Sequence, residues 1–191
     1  MILLGLAGTN GSGKDTVGDF LADNYNFLFV SVTDMLRLEA KKRGLPVERE
    51  TLRTISAEWR REHGLGVLVD KAIEYFENHG GDKNYHGLVM ASMRNPGEAD
   101  RIHELGGTMV WIDADPRIRY DRISSRQRTK EDDKTFEQFL SEEKAEMSHS
   151  GDEATLNTVG VRDKSDIIII NEGDTVDELK LVVTKKLKDL L

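Results

Sequence analysis

Gly8-Thr9-Asn10-Gly11-Ser12-Gly13-Lys14-Asp15-Thr16 follows the apolar run Ile2 to Ala7 and leads into a stretch with Val17, Phe20 and Leu21 at helical spacing. Glycines at 8, 11 and 13 let the backbone curl so that its amides point inward. Those amides, with a helix N-terminus behind them, make a concave anion site. Lys14 supplies a mobile point charge able to follow the outer phosphates of a triphosphate. GxxxxGK between a strand and a helix is the Walker A arrangement, and an ordinary glycine turn is the competing reading. On the first reading Gly8, Asn10, Gly11, Ser12, Gly13, Lys14, Asp15 and Thr16 hold ATP, and Lys14 also stabilises the transferring phosphoryl group.

Position 15 is Asp where a Ser or Thr hydroxyl normally reaches Mg²⁺. Two readings stand open. Asp15 holds Mg²⁺ directly or through a water while Thr16 bonds the α-phosphate, since Mg²⁺ favours oxygen ligands. Alternatively, Asp15 is a first-turn acid that complements the helix dipole.

Working outward, four further apolar runs read as strands: Leu28 to Val32, Leu88 to Ser92, Met109 to Asp113 and Ile167 to Asn171. Most are apolar throughout, the pattern of parallel strands covered on both faces. Helical patterns separate them at Asp15 to Ala22, Asp34 to Arg43, Glu50 to His63 and Val67 to Asn78. Asn95-Pro96 and Asp115-Pro116 each look like an N-cap with proline at the first helical position, and Thr175 to Leu190 is amphipathic. Alternating strands and helices predict a doubly wound α/β sheet with its ligands at the strand carboxyl ends. The charged stretch from Arg126 to Asp166 reads as a helical lid with a flexible part, or else as a surface insertion.

The chain has 191 residues, 38% of them apolar, which suits one domain spanning 1–191. A formal net charge of -8 argues against a partner with a polyanionic backbone or an acidic membrane surface and leaves small anionic ligands. There is no Cys for a thiolate metal site, and no apolar run approaches the roughly 18 residues of a membrane span. The opening run lacks a basic leader segment, so a cytoplasmic protein is the default expectation.

With these residues in hand, the sequence resembles the nucleoside monophosphate kinases. GSGKDT is similar to the loop of deoxynucleoside monophosphate kinases, and Ser31-Val32-Thr33-Asp34-Met35-Leu36-Arg37 resembles the adenylate-kinase segment that ends in DMLR. Leu52 to Gly64, Met93-Arg94-Asn95-Pro96-Gly97-Glu98 and Asp166 to Gly173 extend the likeness to an adenylate-kinase-related P-loop family over nearly the whole chain. The resemblance implies a P-loop kinase fold with a five-stranded parallel sheet ordered 2-3-1-4-5. It implies MgATP as phosphoryl donor and a small phosphorylated acceptor, a nucleoside or deoxynucleoside monophosphate first. Arg37 and Arg94 would grip that acceptor, the helices of about 34–80 would wall its site, and a lid of about 126–165 would close over it. Asp34 is a second candidate for Mg²⁺, or equally an acid near its helix cap. Adenylate kinases usually carry an Asp at the position of Ala91. Its loss opens a second reading, an ATP-binding regulatory module with weak turnover, and dephospho-CoA kinase is the nearest enzyme alternative.

Arg119, Arg122 and Arg126 are spaced to share one helix face, with Arg128 and Lys130 just beyond. Phosphoryl transfer needs in-line positioning and positive charge on the equatorial oxygens, so a row of arginines leading into a lid suits it. By resemblance to lid arginines, Arg122 and Arg126 are the expected catalytic pair; a solvated basic face is the alternative. The five histidines show no metal-ligand spacing, and Trp59 and Trp111 read as core. Asn171-Glu172-Gly173 borders the adenine by family likeness or is an ordinary turn.

Overall fold

A computed structural model describes residues 1–80, 84–126, 134–147 and 151–191, with Arg126 described in its backbone alone. The five strands are β1 (Ile2–Gly8), β2 (Phe27–Ser31), β3 (Gly87–Met93), β4 (Thr108–Asp113) and β5 (Ile167–Ile170). All pair in parallel, in the order β2-β3-β1-β4-β5. The helices among the described residues are α1 (Lys14–Tyr25), α2 (Val32–Lys42), α3 (Arg49–His63), α4 (Val67–Gly80), α5 (Pro96–Glu104), α6 (Pro116–Arg126), α7 (Phe136–Met147), α8 (Thr158–Asp163) and α9 (Val176–Lys186).

The apolar runs of the three central strands, β1, β3 and β4, are buried on both faces, as their composition requires. On one side Leu3, Ala7, Leu88, Met90 and Trp111 pack with residues of α2 to α5 such as Leu36, Ile55, Leu68 and Ile102. On the other, Leu4, Leu6, Val89, Val110 and Ile112 pack with Val17 and Leu21 of α1 and Leu179 and Val183 of α9. Each fully buried Leu or Ile of this kind contributes roughly 1.5–3 kcal/mol. Trp111 is core, as expected. Trp59 is only partly buried and carries the Lys71 ammonium 4.4 Å from its ring centroid.

Several boundaries differ from the expected ones by a few residues. β2 stops at Ser31, one residue earlier than read, because the Ser31 hydroxyl accepts from Asp34 N at 3.3 Å and caps α2, which begins at Val32, two residues earlier than read. The terminal helix ends at Lys186 instead of Leu190. β5 is an edge strand, so Ile169 is buried while Ile168 and Ile170 are half exposed. The caps read at Asn95 and Asp115 are present: Asn95 and Glu98 form a reciprocal capping box, and Asp115 accepts from Arg117 N. Of the stretch read as a lid, α7 packs against α6 and α8, whereas Arg128, Lys130 and Ser148 to Ser150 lie outside the described residues. No described helix is long and apolar enough to cross a membrane.

Candidate active site at the phosphate loop

Strand order places the loop after β1 between the carboxyl ends of β3 and β4. The backbone is in the left-handed region at Gly8 (φ 143°) and Gly13 (φ 99°). A Cβ at Gly8 would stand 1.9 Å from the Ile112 carbonyl oxygen, and one at Gly13 2.9 Å from Asn171 Nδ2, so both positions require glycine. Neighbouring strands hold the curl in place. Thr9 Oγ1 donates to Asp113 Oδ1 at the end of β4 (2.7 Å), and Asn171 Nδ2, just past β5, donates to the Ser12 carbonyl (2.8 Å). The Ser12 hydroxyl is buried with no hydrogen-bond partner among the described residues. An orphan donor beside the first turn of α1 fits an anion acceptor at this place.

Lys14 opens α1 at 8% exposure, and its ammonium donates to the Thr9 carbonyl (2.7 Å). Burial pushes its pKa down from 10.5 to about 8, with Arg94 and Arg119 pressing the same way and Asp15 and Glu146 opposing. Phosphate oxygens would supply the compensating charge.

Two arginines from different elements converge on this loop at Asn10. Arg94 follows β3 after a bulge that leaves Ser92 at φ 77°, and its Nη2 donates to Asn10 Oδ1 at 2.8 Å. Arg119 on α6 sends Nη1 to the Asn10 carbonyl (3.3 Å), donates through Nε to the Ala114 carbonyl (2.8 Å), and pairs with Glu143 of α7. Arg122 instead braces the turn after β5, donating to the carbonyls of Asn171 (3.0 Å) and Gly173 (2.8 Å). The Arg126 side chain lies outside the described residues. Arg37 and Asp34 pair with each other at 2.7 Å in the first turns of α2, both exposed.

Several residues of the site were not singled out from the sequence. Asp113 stands at a strand carboxyl end beside Thr9, 3.7 Å from Arg119 Nε, and that strand-end position was its available signal. Glu98 holds the Arg94 main chain: its Oε2 accepts from Arg94 N (2.7 Å) and Asn95 N (3.1 Å). Glu146, the penultimate residue of α7, meets Arg94, Arg53 and Asn10. Burial alone would push its carboxyl up, but Arg94, Arg53 and Arg49 outweigh that and hold it below the ordinary value. Nothing in the sequence announces Glu146, because these partners lie 52 to 136 residues away.

Among the described residues no group of three His, Asp or Glu side chains is placed to hold a metal by itself. A Mg²⁺ that keeps several waters and rests on substrate phosphates needs only one or two protein oxygens. Asp15, exposed in the first turn of α1, fits that requirement.

A parallel sheet ordered β2-β3-β1-β4-β5, with a glycine loop and lysine joining β1 to α1, defines a protein of the P-loop kinase superfamily. Residues 4–148 match the family described as AAA domain. The UPF0200 protein of Pyrococcus horikoshii is 30% identical over 100% of this chain and 98% of its own length; that of Pyrococcus abyssi is 32% identical over 78% of this chain and 79% of its own. The chain belongs to the AAA-domain family and to the UPF0200 family. Among solved structures, shikimate kinase from Bacteroides thetaiotaomicron superposes with a TM-score of 0.58 at 14% identity, covering 99% of this chain and 98% of that one. At that identity the likeness is one of fold.

Proposed function

We propose that this protein is an ATP-dependent phosphotransferase that moves the γ-phosphoryl group of MgATP to a small phosphorylated acceptor, with a nucleoside or deoxynucleoside monophosphate as first choice. The observation that carries this reading is the convergence of Arg94, just past β3, and Arg119, on α6, on Asn10 of the phosphate loop. A site that only binds nucleotide needs the loop and its lysine. Transfer also needs cations around the moving group and its acceptor.

In this scheme the loop amides and Lys14 hold the β- and γ-phosphates, Thr16 bonds the α-phosphate, and Asp15 would hold Mg²⁺, which when bound would neutralise charge on the phosphates. An acceptor oxygen attacks the γ-phosphorus in line, the bond to the β–γ bridging oxygen breaks, and ADP leaves. Arg94 faces the acceptor, and Arg119 is the arginine next to the transferring group. Arg122 positions the turn at Asn171, the side expected to face the base. Arg126 remains a candidate lid arginine and Arg37 a candidate acceptor contact by resemblance alone. The chain is proposed to work as one domain on small-molecule nucleotides.

A second reading, an ATP-binding module with weak turnover, draws on Ala91. This fully buried alanine takes the place at the β3 carboxyl end where the resembled kinases carry an acid. A coupled assay of ADP release with a panel of monophosphates, dephospho-CoA and shikimate separates the readings. Stimulation by a monophosphate is the expected result; tight ATP binding with no acceptor effect supports the module instead.

A further inference from the structure

Glu146 stands at the mouth of the phosphate loop, only 8% exposed. Its side-chain partners come from three distant parts of the chain. Arg94 Nη1 donates to Oε2 at 2.8 Å and Asn10 Nδ2 to the same oxygen at 3.2 Å. Arg53 Nη2 donates to Oε1, and Arg49 Nη1 stands 4.0 Å from that atom. Arg49 and Arg53 are one turn apart on α3, so the helix presents both on one side. Glu142, half exposed, is the other acid beside Arg49, at 3.5 Å. Three guanidinium groups and an amide around one desolvated carboxylate exceed what a structural ion pair needs. One carboxylate offers a single charge and two oxygens, whereas a phosphate monoester brings close to two charges and three oxygens for the same forks.

We propose that Arg49, Arg53, Arg94 and the Asn10 amide form a seat for the acceptor's phosphate group, and that the Glu146 carboxylate fills this seat until a phosphate displaces it. The identity of the ligand as an acceptor rests on the phosphotransferase reading above; the seat itself does not. Occupation by Glu146 lowers the apparent affinity for any competing anion by the fraction of time the seat is taken. It also favours dianions, because a monoanionic carboxylate only exchanges like for like with Glu146, while a phosphate gains a charge among three arginines. The C-terminal turn of α7 is released when the exchange occurs, which links acceptor binding to the helix that also carries Glu143, the partner of Arg119.

The test is calorimetric titration with inorganic phosphate, and in parallel with sodium acetate, on the protein alone and again with saturating MgADP to fill the phosphate loop. Glu146→Gln should bind phosphate about ten-fold more tightly than the unsubstituted protein in both settings, with a smaller gain for acetate. Adding Arg53→Gln to Glu146→Gln should remove most of that gain. Glu146→Asp, shorter by one methylene but still charged, should fall between and serves if Glu146→Gln does not fold. The proposal is overturned if neither substitution at 146 tightens phosphate binding, or if the double variant keeps the whole gain. Failure of every variant to bind MgADP, with the phosphate gain intact, overturns the nucleotide reading and leaves the seat standing.

Discussion

Lys14 donates to a neutral carbonyl, and burial, with Arg94 and Arg119 adding to it, depresses its pKa to about 8, so its charge costs the folded chain free energy below that pH. The unfolded chain holds the proton up to about pH 10.5, so this cost is complete below about pH 8 and is relieved as pH rises between the two values. Lys14→Met should therefore raise the stability of the protein alone by about 1–3 kcal/mol at pH 7, an advantage that shrinks towards pH 10, as followed by denaturant unfolding. The same substitution should abolish ATP binding. In the unsubstituted protein ATP affinity should weaken above about pH 8, where the lysine must regain a proton to bind, and titration in buffers of differing ionisation enthalpy would show proton uptake. Ser92 at φ 77° is the other strained residue beside the site. Ser92→Gly removes a Cβ from the left-handed region and should stabilise the chain by about 0.5–1 kcal/mol after the entropy of glycine is counted, again by denaturant unfolding.

At the scale of elements, the turn from β3 into α5 is the brace of the acceptor side. Glu98, fully buried, closes the capping box of α5, accepts from the main chain of Arg94 and Asn95, and pairs with the buried Arg60 guanidinium at 2.6 Å. Asn95 Nδ2 in turn reaches the carbonyls of Glu153 (2.7 Å) and Thr155 (2.9 Å), tying the segment before α8 to the same turn. Glu98→Ala leaves a buried guanidinium without its carboxylate and should cost about 3–5 kcal/mol in chemical denaturation. Glu98→Gln, which keeps part of the hydrogen bonding, should cost less. The cap was legible in Asn95-Pro96-Gly97-Glu98 because capping is local chemistry. The Arg60 pair was not, since its partners lie 38 residues apart.

For the whole molecule, strand order does the assembling. β1 runs between β3 and β4, so the loop after it receives Arg94 from one side, Asp113 and Arg119 from the other, and Asn171 from beyond β4. A nucleotide in that loop would stabilise contacts drawn from most of the chain. MgADP at about a hundred times its Kd should raise the unfolding free energy by about 2.7 kcal/mol, read as a concentration-dependent rise in Tm. If MgADP leaves the Tm unchanged at millimolar concentration, the phosphate-loop reading fails.

The order of strands and helices, the glycine loop with Lys14 and the helix caps followed from the sequence alone. Each depends on residues within a few positions of one another: an apolar run, a left-handed turn, a side chain reaching its own helix end. Which arginine meets the loop was decided only by the packed structure. Arg119 and Arg122 share a helix face in the sequence, yet one points to Asn10 and the other to the turn at Asn171. Glu146 joins the site for the same reason. Its three arginines come from α3 and the end of β3, and only the folding of α7 across both brings one carboxylate within reach of all of them.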